Sequence, residues 1–234
     1  MPQSERLAPC LESWQAVLDE VDVFPAVIGS QIACTDSRLS VDLYKRLQEG
    51  FQIFGSNTDY MTNKAQIGCA LSHIALWQEC AQRKEPLIVI EDDTVVKSSR
   101  AEIERHLANQ SFVSLIYLYL SRTFYSGKIA DISTSFYGFQ AYYITPSAAN
   151  VLLRDVFPLS LHIDRYAAYV AKRSEMSWIC AHPRLEYDMS GSSTLSHEQV
   201  PRAKIFGSVF VGLLVAMSLG IYIVLHRLVP KCRK

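Results

Sequence analysis

Three acids stand together in "PLIVIEDDTVV", Pro86 to Val96: Glu91, Asp92 and Asp93 follow the apolar run Leu87–Ile90 without a break. Carboxylates packed this closely repel and raise each other's pKa unless a cation is present. An all-oxygen donor set suits Mg²⁺ or Mn²⁺, ions that also carry phosphate oxygens. If the run is a strand, its side chains alternate between faces, and Glu91 and Asp93 share one. Ligands of open α/β sheets bind just outside the carboxyl ends of strands. The plain alternative is a solvated turn that ends the strand; the flanking "LIVI" and "TVV" weigh against it.

Other residues offer chemistry less plainly. His73 stands among apolar helical positions beside Cys69 and Trp77, where the residues alone describe a satisfied core histidine. Asp164, in "LHIDRY", is either a helix cap, a common role worth about 1 kcal/mol, or a general base. Asp188, in "EYDMSG", is its rival as base. His197, in "STLSH", is either a third metal ligand, acceptable to Mn²⁺ more than to Mg²⁺, or a linker residue. Tyr117, Tyr119, Tyr142 and Tyr143 offer faces for stacking on a ligand, although aromatic strands are usually core. Cys69 and Cys80 fit small core hydrophobes on a helix. None of the six cysteines forms a CxxC pair, and their spacing matches neither a zinc site nor a disulfide framework.

The elements that must position these residues follow from periodicity. "VDVFPAVI" (21–28) reads as a short strand interrupted by Pro25, and residues 41–49 as a short amphipathic helix stopped by Gly50. Ile67, Ala70, Leu71, Ile74, Trp77 and Ala81 recur at three and four residues, which predicts a helix capped by Asn63 and ended at Glu85–Pro86. Leu87–Ile90 is the strand after it, with a further helix from Ser98 to Leu107. This order predicts a unit of a parallel sheet. Residues 111–120 and 137–145 predict two more strands, and Thr145 caps a helix with Pro146 in its first position. A helix over about 164–172 and a strand over 177–181 complete an α/β domain spanning about residues 1–200.

The segment "IGCALSHIALWQECAQRKEPLIVIEDDTVV" resembles the signature of glycosyltransferase family 25, which includes lipooligosaccharide-biosynthesis galactosyltransferases and collagen galactosyltransferase domains. Gly68, Cys69, Ser72 and His73 match its helix, and Glu91, Asp92 and Asp93 match its acidic strand end. "GFQAYYITPSAANVLL", "HIDRY" and "GSSTLSH" are similar to later parts of the family pattern, so the resemblance covers about residues 20–198. It implies a GT-A-like nucleotide-sugar-binding domain and inverting transfer of a hexose, galactose above all, from a UDP-sugar. The acceptor would be a hydroxyl of a glycan, a lipid-linked sugar or a protein. It further implies Glu91, Asp93 and His197 as ligands of Mn²⁺ or Mg²⁺, Ser72 and His73 as donor-binding groups, and Asp92 and Asp164 as catalytic residues. Asp164 would be the base that deprotonates the acceptor. One feature departs from the pattern: "SERLAPCLESWQAVL" before Val21 reads as helix, so the family's first strand has no counterpart there.

Composition bounds the rest. Hydrophobic residues at 49% and charged residues at 20% describe a folded chain. A formal net charge of zero argues against nucleic acid as a partner. "IFGSVFVGLLVAMSLGIYIVL" (205–225) carries no charge and is long enough to cross a hydrocarbon core of about 30 Å. This predicts a single-pass membrane helix over 205–228 with a short basic tail at 229–234. The N-terminal residues show no basic-then-apolar leader, so the domain is expected to face the cytosol, where nucleotide-sugars are supplied. The tail basic residues Arg227, Lys231, Arg233 and Lys234 argue for the opposite orientation. A second reading keeps the fold without the activity: a degenerate transferase acting as a binding module on a membrane anchor. Metal-dependent stabilisation by uridine diphosphate separates the two.

Overall fold

The computed structural model describes residues 6–33, 35–43, 45, 60–61, 63–108, 114–117, 139–174, 177–180, 185–187 and 222–227. Helices α1 (Leu7–Gln15), α2 (Lys64–Arg83), α3 (Arg100–Leu107), α4 (Pro146–Leu153) and α5 (Ile163–Arg173) surround the strands. The strands are β1 (Val21–Pro25), β2 (Leu87–Glu91), β3 (Thr94–Val96), β4 (Ser114–Tyr117), β5 (Ala141–Ile144), β6 (Ser177–Cys180), β7 (Leu185–Tyr187) and β8 (Tyr222–Arg227). Six of them form one sheet in the order β1-β8-β2-β5-β4-β6, and β3 pairs with β7 alongside.

The sheet is mixed, which corrects the expectation of a simple parallel unit. β5 runs antiparallel to both β2 and β4, β8 runs antiparallel to both β1 and β2, and β4 and β6 are parallel. It follows that β1, β2, β4 and β6 all point the same way, and their carboxyl ends share one edge. Glu91 lies on that edge.

Alternation along the central strands builds two cores. Leu87, Val89, Tyr142 and Ile144 pack with α2, α4 and α5 on one face. Ile88, Ile90, Ala141 and Tyr143 pack with Leu7, Cys10 and Trp14 of α1 and Ile103 and Leu107 of α3 on the other. A strand covered on both faces has no polar side, which is why "LIVI" is continuously apolar. Each such side chain contributes roughly 1.5–3 kcal/mol by its burial.

The predicted caps are present. The Asn63 side chain accepts from the Gln66 N–H at 2.9 Å while the Gln66 side chain accepts from the Asn63 N–H, a reciprocal capping box. Lys84 ends α2 in the left-handed conformation, with φ 57°. Thr145 caps α4 with Pro146 in the first position. Ser99 caps α3, one residue after the predicted start.

The C-terminal segment requires a correction. Tyr222–Arg227, expected at the end of a membrane helix, is a strand pairing along its whole length between β1 and β2. The run "YIVL" is rich in β-branched and aromatic residues, which fit a pleated surface. The gap between β1 and β2 also leaves two rows of backbone groups that need partners. Residues 205–221 and 228–234 lie outside the described residues, and among the described residues no helix is long and apolar enough to cross a membrane. Among the described residues, α1 rather than a strand precedes Val21.

Candidate active site

The site is assembled from α2, the end of β2, the turn after it and the start of α5. α2 docks closely on the chain that leaves β1. A Cβ on Gly68 would come within 2.6 Å of the Val27 carbonyl oxygen, so only glycine permits this approach. One turn later, Ser72 is fully buried: its hydroxyl donates to the Gly68 carbonyl at 2.8 Å and accepts from the Val27 N–H at 2.9 Å. Both functions of the hydroxyl expected to bind donor are therefore committed within the protein, and Ser72 here positions α2 against β1.

Cys69 and His73, one turn apart on α2, face the end of β2. The buried His73 ring is fixed at both nitrogens. Nδ1 lies 3.0 Å from the Tyr142 hydroxyl, which also accepts from Trp77 Nε1 at 3.0 Å, and Nε2 lies 3.2 Å from Glu91 Oε1. Phe139 and Tyr142 enclose the ring, with centroids 5.4 and 5.7 Å from it. His73 thus orients Glu91. Tyr142 and Tyr143 are core residues with no face open to a sugar. The side chain of Tyr117 and the whole of Tyr119 lie outside the described residues.

β2 ends at Glu91, and Asp92 and Asp93 form the turn into β3. The Gln140 carbonyl pins both ends of this turn, accepting from the Glu91 N–H at 2.7 Å and from the Thr94 hydroxyl at 3.2 Å. Because the strand stops, alternation stops with it. Glu91 meets His73, whereas Asp92 and Asp93 both meet Arg6, at 3.3 and 3.6 Å. Arg6 precedes α1, which is itself anchored here by Trp14 Nε1 donating to the Thr94 carbonyl at 3.1 Å. No spacing rule pointed to Arg6; only the packing of α1 brings it to the acids.

Asp164 lies in the first turn of α5, whose cap is His162, so the capping role considered for Asp164 does not apply. Its Oδ1 accepts from the Arg165 N–H at 2.7 Å. Its charge acts on Cys69, His73 and Glu91 alike, which places it within electrostatic reach of that group. α5 is held there by the preceding segment: the Ser40 and Met61 N–H groups donate to the carbonyls of Leu159 and Ser160 at 2.9 and 3.1 Å. Asp188 and His197 lie outside the described residues.

Burial pushes Glu91 up to about 7, with Asp92 and Asp164 adding and Arg6 opposing. Burial pushes His73 down to about 4, with Asp164 opposing. Between the ordinary values of 4.5 and 6.5 the folded chain therefore holds a proton on Glu91 that the unfolded chain has lost. It also lacks one on His73 that the unfolded chain carries. Glu91 makes stability fall with rising pH, His73 makes it rise, and the two slopes cancel. Glu91→Gln removes the first slope. In chelator, the unfolding free energy of the native chain from urea titrations should be flat across this window, while that of Glu91→Gln should climb by up to about 1.4 kcal/mol per pH unit. A flat variant profile would show that His73 is not held neutral.

The model of the family described as glycosyltransferase family 25 (LPS biosynthesis protein) matches residues 20–167, well over half of the chain. The match contains α2, the acidic turn and Asp164 together. The chain belongs to glycosyltransferase family 25. No curated protein sequence matches it. In family terms, the helix motif Gly68-Cys69-x-x-Ser72-His73 divides its work: Gly68 and Ser72 dock α2 on the β1 exit, and Cys69 and His73 face the acidic strand end. Membership makes this a glycosyltransferase-type domain acting on a donor sugar and an acceptor.

Proposed function

We propose that this chain carries out cation-dependent, inverting transfer of a hexose, galactose first among them, from a UDP-sugar to a hydroxyl of a glycan, lipid-linked sugar or protein. The observation that carries the reading is the pairing of Glu91 with His73 at the carboxyl edge of four codirectional strands, with Asp92 and Asp93 in the adjoining turn and Asp164 within electrostatic reach. A GT-A-like description of the fold belongs to the same proposal.

The acidic turn fits a hard divalent ion. It already draws a cationic group, the Arg6 guanidinium, onto Asp92 and Asp93, and its donors are carboxylate oxygens. Asp93 and Glu91 would hold Mn²⁺ or Mg²⁺, with His197 as the proposed third ligand. When bound, the ion neutralises the charge that develops on the departing diphosphate. Asp164 takes the proton of the acceptor hydroxyl as its oxygen bonds to the anomeric carbon and the bond to the diphosphate breaks. His73, uncharged, keeps Glu91 aimed. Asp92 serves the reaction through its pairing with Arg6, which sets the charge of the turn.

Arg6 also favours a second reading. An internal cation on the acids is what a domain that binds without catalysing would retain. Uridine diphosphate in excess Mn²⁺ separates the two. At a concentration about 100 times its Kd it should stabilise the chain by about 2.7 kcal/mol, roughly 5–10 °C in Tm for a domain of this size, and Mg²⁺/Mn²⁺ chelation should abolish the effect. A Tm unmoved by uridine diphosphate with Mn²⁺ would sink the transferase reading. Membrane attachment through residues 205–221, with the domain facing the cytosol, is a separable part of the proposal; the chain should then resist carbonate extraction.

A further inference from the structure

We propose that Cys69, His73 and Glu91 form a binding site for a borderline-soft divalent cation of the zinc class, which shares Glu91 with the hard-ion position proposed above but takes its other ligands from α2. The thiol sulfur, an imidazole nitrogen and a carboxylate oxygen lie within 4.8 Å of one another. Ligand atoms bound tetrahedrally at about 2.0–2.3 Å from one ion stand roughly 3.5 Å apart. The His73 Nε2 to Glu91 Oε1 separation, 3.2 Å, already has that size. Closure of the remaining gap requires a movement of about 1 Å, within the reach of the Cys69 and Glu91 side chains.

The scaffold around the triad suits an ion. Cys69 and His73 stand one turn apart on a helix held rigidly to β1 by Gly68 and Ser72. Tyr142 and Trp77 hold the far side of the His73 ring, so Nε2 is presented before any ion arrives. Cys69 is only partly buried, and the Glu91 side chain keeps 16% of its exposure, which leaves an approach from solvent. The Asp164 charge adds to the attraction for a cation. Three protein ligands with a fourth position open is the count of a reactive rather than a purely structural zinc site. A thiolate donor selects zinc-class ions over Mg²⁺ and Mn²⁺. On binding, the Cys69 thiol releases its proton to solvent as the sulfur–metal bond forms. Glu91 is thus shared between two chemistries, and the donor reading above does not require this site.

The full-length chain, stripped with chelator and titrated with Co²⁺, tests it. The expected result is a near-ultraviolet thiolate-to-cobalt charge-transfer band with tetrahedral visible bands, all displaced by Zn²⁺. Cys69→Ser should abolish the charge-transfer band, whereas Cys80→Ser and Asp93→Ala should keep it. Absence of the band in the native chain, or its survival in Cys69→Ser, would overturn the proposal. The native titration decides the matter even where a variant fails to fold. Mn²⁺-dependent stabilisation by uridine diphosphate, measured on the same Cys69→Ser sample, should persist, so failure of this site and failure of the donor reading give different patterns.

Discussion

Asp93→Ala should reduce sugar transfer by about a thousandfold at saturating Mn²⁺. Asp93 is buried in the turn after β2 and shares Arg6 with Asp92. Lewis-acid stabilisation of a leaving group is worth several kcal/mol, and about 4 kcal/mol corresponds to a thousandfold in rate. The fold should survive the change. Arg6 keeps Asp92 as its partner, and removing one of three neighbouring carboxylates relieves repulsion. The measurement is turnover of a UDP-sugar beside a thermal melt of the same sample in chelator. Glu91→Ala should match the loss of activity, because it removes both a proposed ligand and the group aimed by His73. Near-native turnover in both variants would mean that no cation acts at this turn.

Asp164→Asn should lower turnover by about a hundredfold or more, the range for a lost general base, with donor affinity unchanged. The substitution is a clean one. Asn keeps the Oδ1 that accepts the Arg165 N–H, and His162 rather than Asp164 occupies the N-cap position of α5, so stability should hold. If donor affinity falls instead, Asp164 is a donor ligand. If only Tm falls, its role is in the helix start. The pair of variants distinguishes cation from base: Asp93→Ala should lose Mn²⁺-dependent stabilisation by uridine diphosphate, and Asp164→Asn should retain it.

Much of this site was legible in the chain. Local rules govern local events, and they located α2 with its Asn63 capping box, the Thr145–Pro146 helix start and the buried run "LIVI" ending in acids. The spacing of Cys69 and His73 put them on one helical face, and the order of motifs led to the family. The residues that only their partners define were harder to judge. Ser72 has the chemistry of a donor ligand, yet the approach of Val27 turns it into a structural residue. Glu91 and Asp93 would share a face by alternation if the strand continued, but it ends at Glu91, and only the folded chain gives Glu91 to His73 and Asp93 to Arg6.

By itself, then, the sequence determined the main helices, the strands β1, β2, β4, β5 and β6, the acidic end of β2 and the membership of family 25, because periodicity, caps and composition act within a few residues along the chain. Tertiary structure alone decided the strand directions, the insertion of Tyr222–Arg227 between β1 and β2, the arrival of Arg6 at Asp92 and Asp93, and the meeting of Asp164 with the Cys69–His73–Glu91 group. Those contacts join residues dozens to more than a hundred positions apart. Backbone hydrogen bonds between strands and the burial of two apolar faces select them, and neither leaves a mark on local spacing.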